Sequence, residues 1–317
     1  MDHLLDLFRG GGLGVNLVPM FGCDPRMRQT VLDRGCRVLD YRDDVFGGKT
    51  VVSFCNGQFL ARLPAIAQAA RPEKVVWFNC MTYIFDRERE AHARGLIDVF
   101  GFQSDYQREC LVPQLDPIRP VRTFPYRPYF NAERVEWRYR EWDGTYRLGR
   151  ISRDDQAKFA PDTWQIFDRV LVPPQLKKKV YILGYGPNAA KKIGPAPPTL
   201  DWMTWTGNAI PATQFYRTID TMIHKTGGSR ESYARVLVEA YAHGVVPIVE
   251  RAYAFPELVK HGETGFMAGS SDEMSYYASL LAMNPREHRC MAEAGRQHLE
   301  DVLTDTEASW RGWCQIL

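Results

Sequence analysis

The feature that most constrains the fold is an alternation of short apolar runs with longer amphipathic runs, repeated along most of the chain. The short runs are rich in β-branched and aromatic residues and predict buried strands, whereas the amphipathic runs predict helices. Strands joined by helices pair in parallel, because each helix carries the chain back to the same end of the sheet. The sequence therefore predicts an α/β fold built on parallel sheets.

Two successive series of such elements are present. The first has predicted strands at residues 37–41, 51–55, 75–78, 97–102 and 121–124, with helices at 24–34, 57–70, 86–94 and 104–112. Its start is open, because the first strand could occupy residues 4–8, before the glycine loop 10–14, or residues 15–21. The second series has predicted strands at 146–151, 179–183, 204–206, 221–224 and 246–249, with helices near 161–170, 232–243, 272–283 and 285–301.

Chain length and composition fit two globular domains. The 317 residues are about twice a usual domain length, and a hydrophobic content of 45% with 25% charged residues is typical of folded proteins. We predict domains at residues 1–140 and 141–300, joined by the polar and aromatic segment 125–145, with a cleft between them. A final helix at 301–317, which carries Trp310 and Trp313, is predicted to cross back onto the first domain.

The composition disfavours several classes of protein. No apolar run approaches the roughly 20 residues that span a bilayer, and the N-terminus lacks the basic start of a signal peptide, so we expect a soluble, cytoplasmic protein. Seven cysteines without a Cys-x-x-Cys pair favour neither a disulfide framework nor a zinc knuckle. No cluster of Asp, Glu or His has metal-ligand spacing in the sequence, so no metal site is predicted.

Charge is nearly balanced overall, with 40 basic and 38 acidic residues, but arginine is concentrated between residues 119 and 150. The arginines of this segment outnumber its acids and alternate with tyrosine, phenylalanine and tryptophan. Such a segment is typical of a solvated connector between domains, and it also has the composition of a polyanion-binding surface. The connector is the favoured interpretation.

The segment 229–249 combines a loop, a helix and a buried strand. A glycine pair precedes it, the helix is predicted from Ser232, and Gly244 ends that helix. A helix start directs free backbone N–H groups and the positive end of the helix dipole outwards, which suits a phosphate or diphosphate. At about 1.5 Å per helical residue, Glu231 and Glu239 lie roughly 12 Å apart, so they could contact opposite sides of a diphosphate ligand.

This segment resembles the Glu-x7-Glu motif of retaining glycosyltransferases with the GT-B fold, particularly glycosyltransferase family 4. The resemblance continues, in the family's order, through Gly-Arg-Ile-Ser-Arg at 149–153, Ile-Leu-Gly-Tyr-Gly-Pro at 182–187, Trp-Thr-Gly at 205–207, Phe-Pro-Glu-Leu-Val at 255–259 and Gly-Glu-Thr-Gly-Phe at 262–266. It covers about residues 146–300. It implies two Rossmann-like domains facing a central cleft, with an acceptor domain at 1–140 and a nucleotide-sugar donor domain at 141–300.

The resemblance also assigns roles to individual residues. Glu239 would bind the ribose of the nucleotide, and Glu231 would hold the donor sugar near the reacting face. Arg150 and Lys158 would neutralise the donor diphosphate during catalysis. Arg153 is an alternative candidate for the role of either residue. The remaining donor-binding candidates belong to glycine turns, to the helix start and to the first domain: Gly12, Gly184, Gly186, Ser232, Tyr233, Ala234 and Asn79.

Two positions depart from the family pattern. Ala234 stands where family members usually have glycine, which could make the site around the sugar tighter. Asn79 stands where the family often has a sugar-facing histidine, and an amide can bind a hydroxyl group but cannot shuttle a proton at neutral pH. Among the histidines of this chain, we predict His224 as a packed residue of a strand and His243 as a cation near a helix C-terminus.

These features predict a retaining, metal-independent glycosyltransferase that moves a sugar from a nucleoside-diphosphate-sugar donor to an acceptor hydroxyl, without a separate cofactor. Two other hypotheses stay open. One is a catalytically silent binding protein with the same fold, and the other is a glycosyltransferase whose acceptor is a modified nucleic acid. The sequence does not specify the sugar, the base of the nucleotide, the acceptor or the oligomeric state.

Overall fold

The computed structural model describes residues 2–124, 126–207 and 209–317, which divide into two compact units. Unit 1 extends to Asn131 and includes Thr304–Leu317, and unit 2 is Ala132–Leu303. These limits differ from the domain boundaries predicted at 140 and 300. Within the described residues, no helix is long and apolar enough to cross a membrane.

Unit 1 begins with a helix and contains two parallel sheets. Its elements before residue 116 are α1 (Asp2–Gly10), β1 (Asn16–Leu17), α2 (Pro25–Asp33), β2 (Arg37–Val38), β3 (Thr50–Phe54), α3 (Gly57–Ala70), β4 (Lys74–Phe78), α4 (Asp86–Ala93), β5 (Val99–Gly101) and α5 (Asp105–Leu115). Strands β3, β4 and β5 form one sheet in that order, and β1 pairs with β2 in the other.

One of the two alternatives for the first strand is excluded, and one further predicted strand of this unit is not formed. Residues 4–8 lie in α1, where Leu4, Leu7 and Phe8 are buried together. Their spacing of three and four residues places them on one face of a helix, so a strand at 4–8 is wrong and the first strand lies at 16–17. The segment 121–124 contributes a single bridge, between Thr123 and Phe100, in place of a strand.

Unit 2 is built on one six-stranded parallel sheet. Its elements are β6 (Thr145–Ile151), α6 (Thr163–Asp168), β7 (Lys177–Leu183), α7 (Pro187–Ile193), β8 (Asp201–Trp205), α8 (Ala212–Tyr216), β9 (Thr221–His224), α9 (Arg235–Ala242), β10 (Val246–Glu250), β11 (Phe266–Ala268), α10 (Ser271–Met283) and α11 (Pro285–His298). The strand order is β11-β10-β9-β6-β7-β8. Helix α9 begins at Arg235, three residues after its predicted start.

The strand order of unit 2 creates a crevice at a defined place. The first strand of the unit, β6, lies between the second strand, β7, and the fourth, β9, so the direction of chain progression reverses between β6 and β9. Pairing between β6 and β9 covers only Leu148 with Thr221 and Gly149 with Met222. The carboxyl ends of these two strands therefore separate, and ligands of such sheets bind at this position.

The last helix, α12 (Thr306–Cys314), belongs to unit 1. Its Trp313 is 1% exposed and contacts the rings of Phe8, Phe78 and Phe124, with centroids 4.8, 5.5 and 5.6 Å away. Burial of a large aromatic side chain stabilises an element strongly, so Trp313 fixes α12 within this unit.

The arginine-rich segment 119–150 is largely packed where it enters unit 2. Tyr139 and Trp142 contact the ring of His288, and Arg147 pairs with Asp143 at 2.7 Å. Aromatic rings that are already packed cannot stack on the bases of a nucleic acid. This arrangement favours the connector interpretation of the segment over a polyanion-binding surface.

Candidate functional site

A cavity of about 550 Å³ lies at the carboxyl ends of β6, β7 and β9. Three sets of residues line it: Ile151, Ser152, Arg153, Asp154 and Lys158 after β6; His224, Glu231 and the segment 233–236 around the start of α9; and Leu183, Gly207, Ile210 and Ala212. All of them belong to unit 2. The cavity is thus at the reversal point of the strand order, where a Rossmann-type sheet binds its ligand.

Two glycines bring the loops around this cavity together. Gly184 has a φ of +93°, and a Cβ atom at this position would lie 1.8 Å from the carbonyl oxygen of Ser152. A Cβ atom on Gly186 would lie 2.3 Å from Asp154 Oδ2. That carboxylate accepts a hydrogen bond from Ala189 N at 2.7 Å, so it caps the start of α7. Both predicted donor-binding glycines therefore position the loop 152–154.

The loop before α9 is anchored to the segment 156–159. Gly227 N and Ser229 N both donate to the carbonyl of Ala157 at 2.9 Å. Thr226 donates its backbone N–H and its hydroxyl to Glu250 Oε1, at 2.8 and 2.7 Å. These bonds hold the two loops side by side, and this arrangement places Glu231 opposite Lys158.

Lys158 and Glu231, predicted to contact different parts of the donor, form an ion pair on the cavity wall. Lys158 Nζ donates to Glu231 Oε1 at 2.6 Å, and the two side chains are 18% and 13% exposed. The predicted catalytic residues are therefore brought together across 73 positions of sequence. The pair partly neutralises both charges.

Arg150, the third predicted catalytic residue, is a buried cation at the end of β6. Its side chain is 1% exposed, lies over the ring of Phe159 at 5.5 Å, and donates from Nη2 to the carbonyl of Lys158. Nε and Nη1 have no hydrogen-bond partner among the described residues. Burial lowers the pKa of Arg150 to about 10, and the negative charges of Glu231 and Glu250 act in the opposite direction. Because this pKa is still well above 7, the side chain stays protonated at pH 7.

The predicted helix-start residues lie at the cavity. Tyr233 and Ala234 line it, and Ser232 between Glu231 and Tyr233 is buried. Within the described structure, no side chain caps α9 at Ala234, which leaves its first turn directed at the cavity. Arg153 also lines the cavity and is exposed, which keeps it a candidate for contact with the diphosphate.

Glu239, the predicted ribose ligand, lies one turn beyond the cavity-lining part of α9. Its Oε1 accepts from Arg235 Nε at 3.0 Å, and its Oε2 lies 3.1 Å from the hydroxyl of Tyr216. Burial, and next the charge of Glu239, raise the pKa of Tyr216 far above 10, so this phenol remains a hydrogen-bond donor. Glu239 is thus an oriented carboxylate.

Asn79, predicted to contact the donor sugar, has a structural role instead. The side chain is completely buried, and its amide donates to the carbonyl of Tyr83 and to the carboxylate of Glu88. Its oxygen accepts from Met81 N at 2.6 Å. The amide is already bonded inside unit 1, so the prediction of a sugar contact is wrong. Gly12 follows α1 with a φ of +75°, and its contact with a donor remains a prediction.

Asp154 and His224 are among the cavity residues that the sequence analysis did not predict to be part of a site. Asp154 caps α7, which lies more distant in the sequence. His224 was predicted only as a packed residue of a strand, but it also lines the cavity. His224 is 3% exposed and lines the cavity. Burial, and next the charges of Arg150 and Lys158, lower the pKa of His224 well below 6.5, so the ring is neutral at pH 7.

The prediction of a cationic His243 is wrong. The residue is buried, and burial lowers its pKa below 6.5. Its Nδ1 donates to the carbonyl of Glu239 at 2.7 Å, so it ends α9 as a neutral hydrogen-bond donor.

Among the described residues, no group of three or more His, Cys, Asp or Glu side chains could hold a metal ion.

Comparison with known proteins shows what unit 2 is similar to. Residues 147–283 match the family model described as "Glycosyl transferases group 1", which is less than half of the chain. N-acetyl-alpha-D-glucosaminyl L-malate synthase of Bacillus anthracis is 26% identical over 154 residues. That alignment covers 47% of this chain and 39% of the relative.

The chain also resembles several solved structures in fold. HepE of Anabaena, in complex with UDP and glucose, has a TM-score of 0.72 at 13% identity, covering 99% of this chain and 94% of HepE. A glycosyltransferase of Rickettsia africae also has a TM-score of 0.72, at 10% identity, covering 99% and 92% of the two chains. A point mutant of S. aureus TarM has a TM-score of 0.63 at 13% identity, covering 84% of this chain and 55% of TarM.

These similarities confirm the predicted mixed α/β GT-B fold with parallel sheets. Residues 147–283 thus resemble a glycosyl transferases group 1 domain, and the chain as a whole has the GT-B fold.

Proposed function

We propose that this chain is a retaining, metal-independent glycosyltransferase whose donor, a nucleoside-diphosphate sugar, binds in the cavity of unit 2. The observation that supports this most directly is the arrangement of charge at the separated ends of β6 and β9. Lys158 and Glu231 face each other on the wall of the cavity, and the buried cation of Arg150 is bonded to the carbonyl of Lys158. Fixed cations at this position suit a diphosphate, because they stabilise the negative charge that builds on the leaving group.

The ion pair links phosphate binding to sugar binding. A diphosphate that contacts Lys158 competes with Glu231 for that cation. Once released, the carboxylate of Glu231 can accept hydrogen bonds from sugar hydroxyls, as the resemblance implies. A nucleotide sugar gives Lys158 a phosphate partner and Glu231 a hydroxyl partner, whereas a nucleotide alone replaces only the partner of Lys158. We therefore expect a nucleotide sugar to bind more tightly than the nucleotide alone.

In the proposed reaction, the acceptor hydroxyl attacks the anomeric carbon from the face that the diphosphate leaves. The carbon–oxygen bond to the phosphate breaks as the new one forms, and the acceptor proton passes to the departing phosphate oxygen. Retention rests on the resemblance of segment 231–249 to retaining enzymes. Arg150 and Lys158 balance the charge of the leaving group, so no step is assigned to a metal ion.

UDP sugars are the first donors to test, because the HepE structure contains UDP and glucose. The test measures UDP binding by calorimetry and UDP release from UDP-glucose for the wild type, Glu231→Gln and Glu239→Gln. We expect Glu239→Gln to weaken UDP binding by roughly ten-fold, and Glu231→Gln mainly to lower turnover. The matched control is Glu263→Gln, since Glu263 is an exposed acid that pairs with Lys260 at 3.3 Å.

Full activity of both cavity variants would contradict the assignment of the two glutamates. Binding of UDP-glucose without release of UDP would instead favour the catalytically silent binding protein.

A further inference from the structure

His224 is a buried polar side chain whose position the packing of unit 2 does not explain. The residue is 3% exposed, yet it lines the cavity. Neither ring nitrogen has a hydrogen-bond partner in the described parts of the chain. Because buried polar groups in folded proteins are nearly always hydrogen-bonded, an unpartnered imidazole on a cavity wall indicates that its partner is a ligand.

The ring lies at the end of β9, where it packs against Phe255. His224 is the last residue of β9 and is paired with Val249 of β10. Pairing with β6 ends at Met222, so His224 lies where the two central strands have separated. The ring of Phe255 contacts the imidazole at 5.5 Å with an interplanar angle of 75°. A fixed ring presents its nitrogens to a ligand without further ordering.

The chemical character of this ring distinguishes it from its cationic neighbours. Burial, and next the charges of Arg150 and Lys158, lower the pKa of His224 and keep the imidazole neutral, so it offers one N–H donor and one acceptor nitrogen. The oxygens of a fully ionised diphosphate only accept hydrogen bonds. Arg150 and Lys158 only donate, so they match these oxygens better than a neutral imidazole does. A hydroxyl group both donates and accepts, which matches a neutral imidazole.

We infer that His224 binds a hydroxyl group of the donor sugar, and that it helps to determine which sugar the enzyme accepts. The inference rests on the proposed function, since it takes the cavity as the donor site. It adds a sugar-binding residue that the sequence resemblance did not assign. In this inference His224 contacts the sugar from unit 2, where Glu231 also lines the cavity.

The test compares the affinities of the full-length chain for UDP, UDP-glucose, UDP-galactose and UDP-N-acetylglucosamine by calorimetry. We expect His224→Leu to lower the affinity for the UDP sugar that the wild type prefers by about ten-fold. The affinity for UDP itself should change by less than about two-fold. His224→Gln keeps a donor and an acceptor, so it should recover part of the loss. His261→Leu, at an exposed histidine outside the cavity, is the matched control.

The outcomes separate the two proposals. An unchanged preference for the UDP sugar in His224→Leu, or an equal loss for UDP and the UDP sugar, would overturn the sugar contact. Because Leu removes an unpartnered polar group, the variant should unfold at no lower temperature than the wild type, and a folded protein is therefore available for the measurement. If the wild type bound neither these ligands nor the sugars of GDP, ADP or dTDP, the proposed function would fail, and this inference with it.

Discussion

Gly184 provides a test of how the walls of the cavity are assembled. Its φ of +93° is a backbone conformation that favours glycine, and its amide donates to the carbonyl of Trp205 at 2.8 Å. A Cβ atom here would lie 1.8 Å from Ser152 O and 2.8 Å from Ser152 C. Both of these are backbone atoms, so rotation of a side chain cannot relieve the contact.

Two costs add in the variant Gly184→Ala. A left-handed conformation costs an L-residue about 1–2 kcal/mol, and overpacking against a rigid neighbour costs about 1–3 kcal/mol. We expect a loss of about 2–5 kcal/mol in the free energy of unfolding of unit 2. Gly262→Ala is the matched control, since Gly262 has a φ of +79° and no atom within 4 Å of an added Cβ. Gly262→Ala should lose only the cost of the left-handed backbone conformation, about 1–2 kcal/mol in the free energy of unfolding.

Denaturant unfolding followed by tryptophan fluorescence measures both variants, and calorimetry measures their affinity for UDP. Gly184→Ala should also weaken UDP binding, because it displaces the loop that carries Arg153 into the cavity. Equal losses of stability in the two glycine variants would refute the reasoning. They would mean that the loop at Ser152 moves away at no measurable cost.

Three further predictions concern residues around the cavity. Asp154→Ala should lower the free energy of unfolding by about 1 kcal/mol, because α7 loses its cap, whereas Asp154→Asn retains an acceptor oxygen and most of the stability. Tyr216→Phe removes the hydroxyl next to Glu239, so it should cost about 1 kcal/mol of stability in denaturant unfolding and weaken UDP binding a few-fold in calorimetry. Stability should fall as pH decreases below about 6.5, because the unfolded chain takes up a proton that buried, neutral His224 does not. His224→Leu should reduce that slope by up to about 1.4 kcal/mol per pH unit in urea titrations, and an unchanged slope would contradict a neutral His224.

The four central strands of unit 2, β6, β7, β9 and β10, were predictable from sequence because most of their residues are buried. Strand β11 was not predicted, and β8 is largely exposed. Val180, Ile182, Val246 and Ile248 belong to one buried core, and their apolar runs identify the strands directly. In unit 1 the apolar residues of 4–8 are also dense, and only their helical spacing distinguishes α1 from a strand. The structure resolves this ambiguity in favour of the helix.

The assembly of the site depends on contacts that no local pattern encodes. Lys158 and Glu231 are 73 residues apart, and neither residue indicates the other in the sequence. The position of His224 at the crevice follows from the pairing of β9 with β6, which a list of predicted strands does not contain. Asn79 failed as a sugar ligand because Glu88, nine residues later, uses its amide. The resemblance identified the motif residues, and the strand order explains why they meet.

A crystal structure of the chain with UDP-glucose tests the central claim most directly. The account predicts that the diphosphate lies in the cavity of unit 2, within hydrogen-bonding distance of Lys158 Nζ, and that Glu231 has exchanged this cation for the sugar. A nucleotide bound elsewhere on the chain, or bound with the Lys158–Glu231 pair intact and remote from the phosphates, would contradict it.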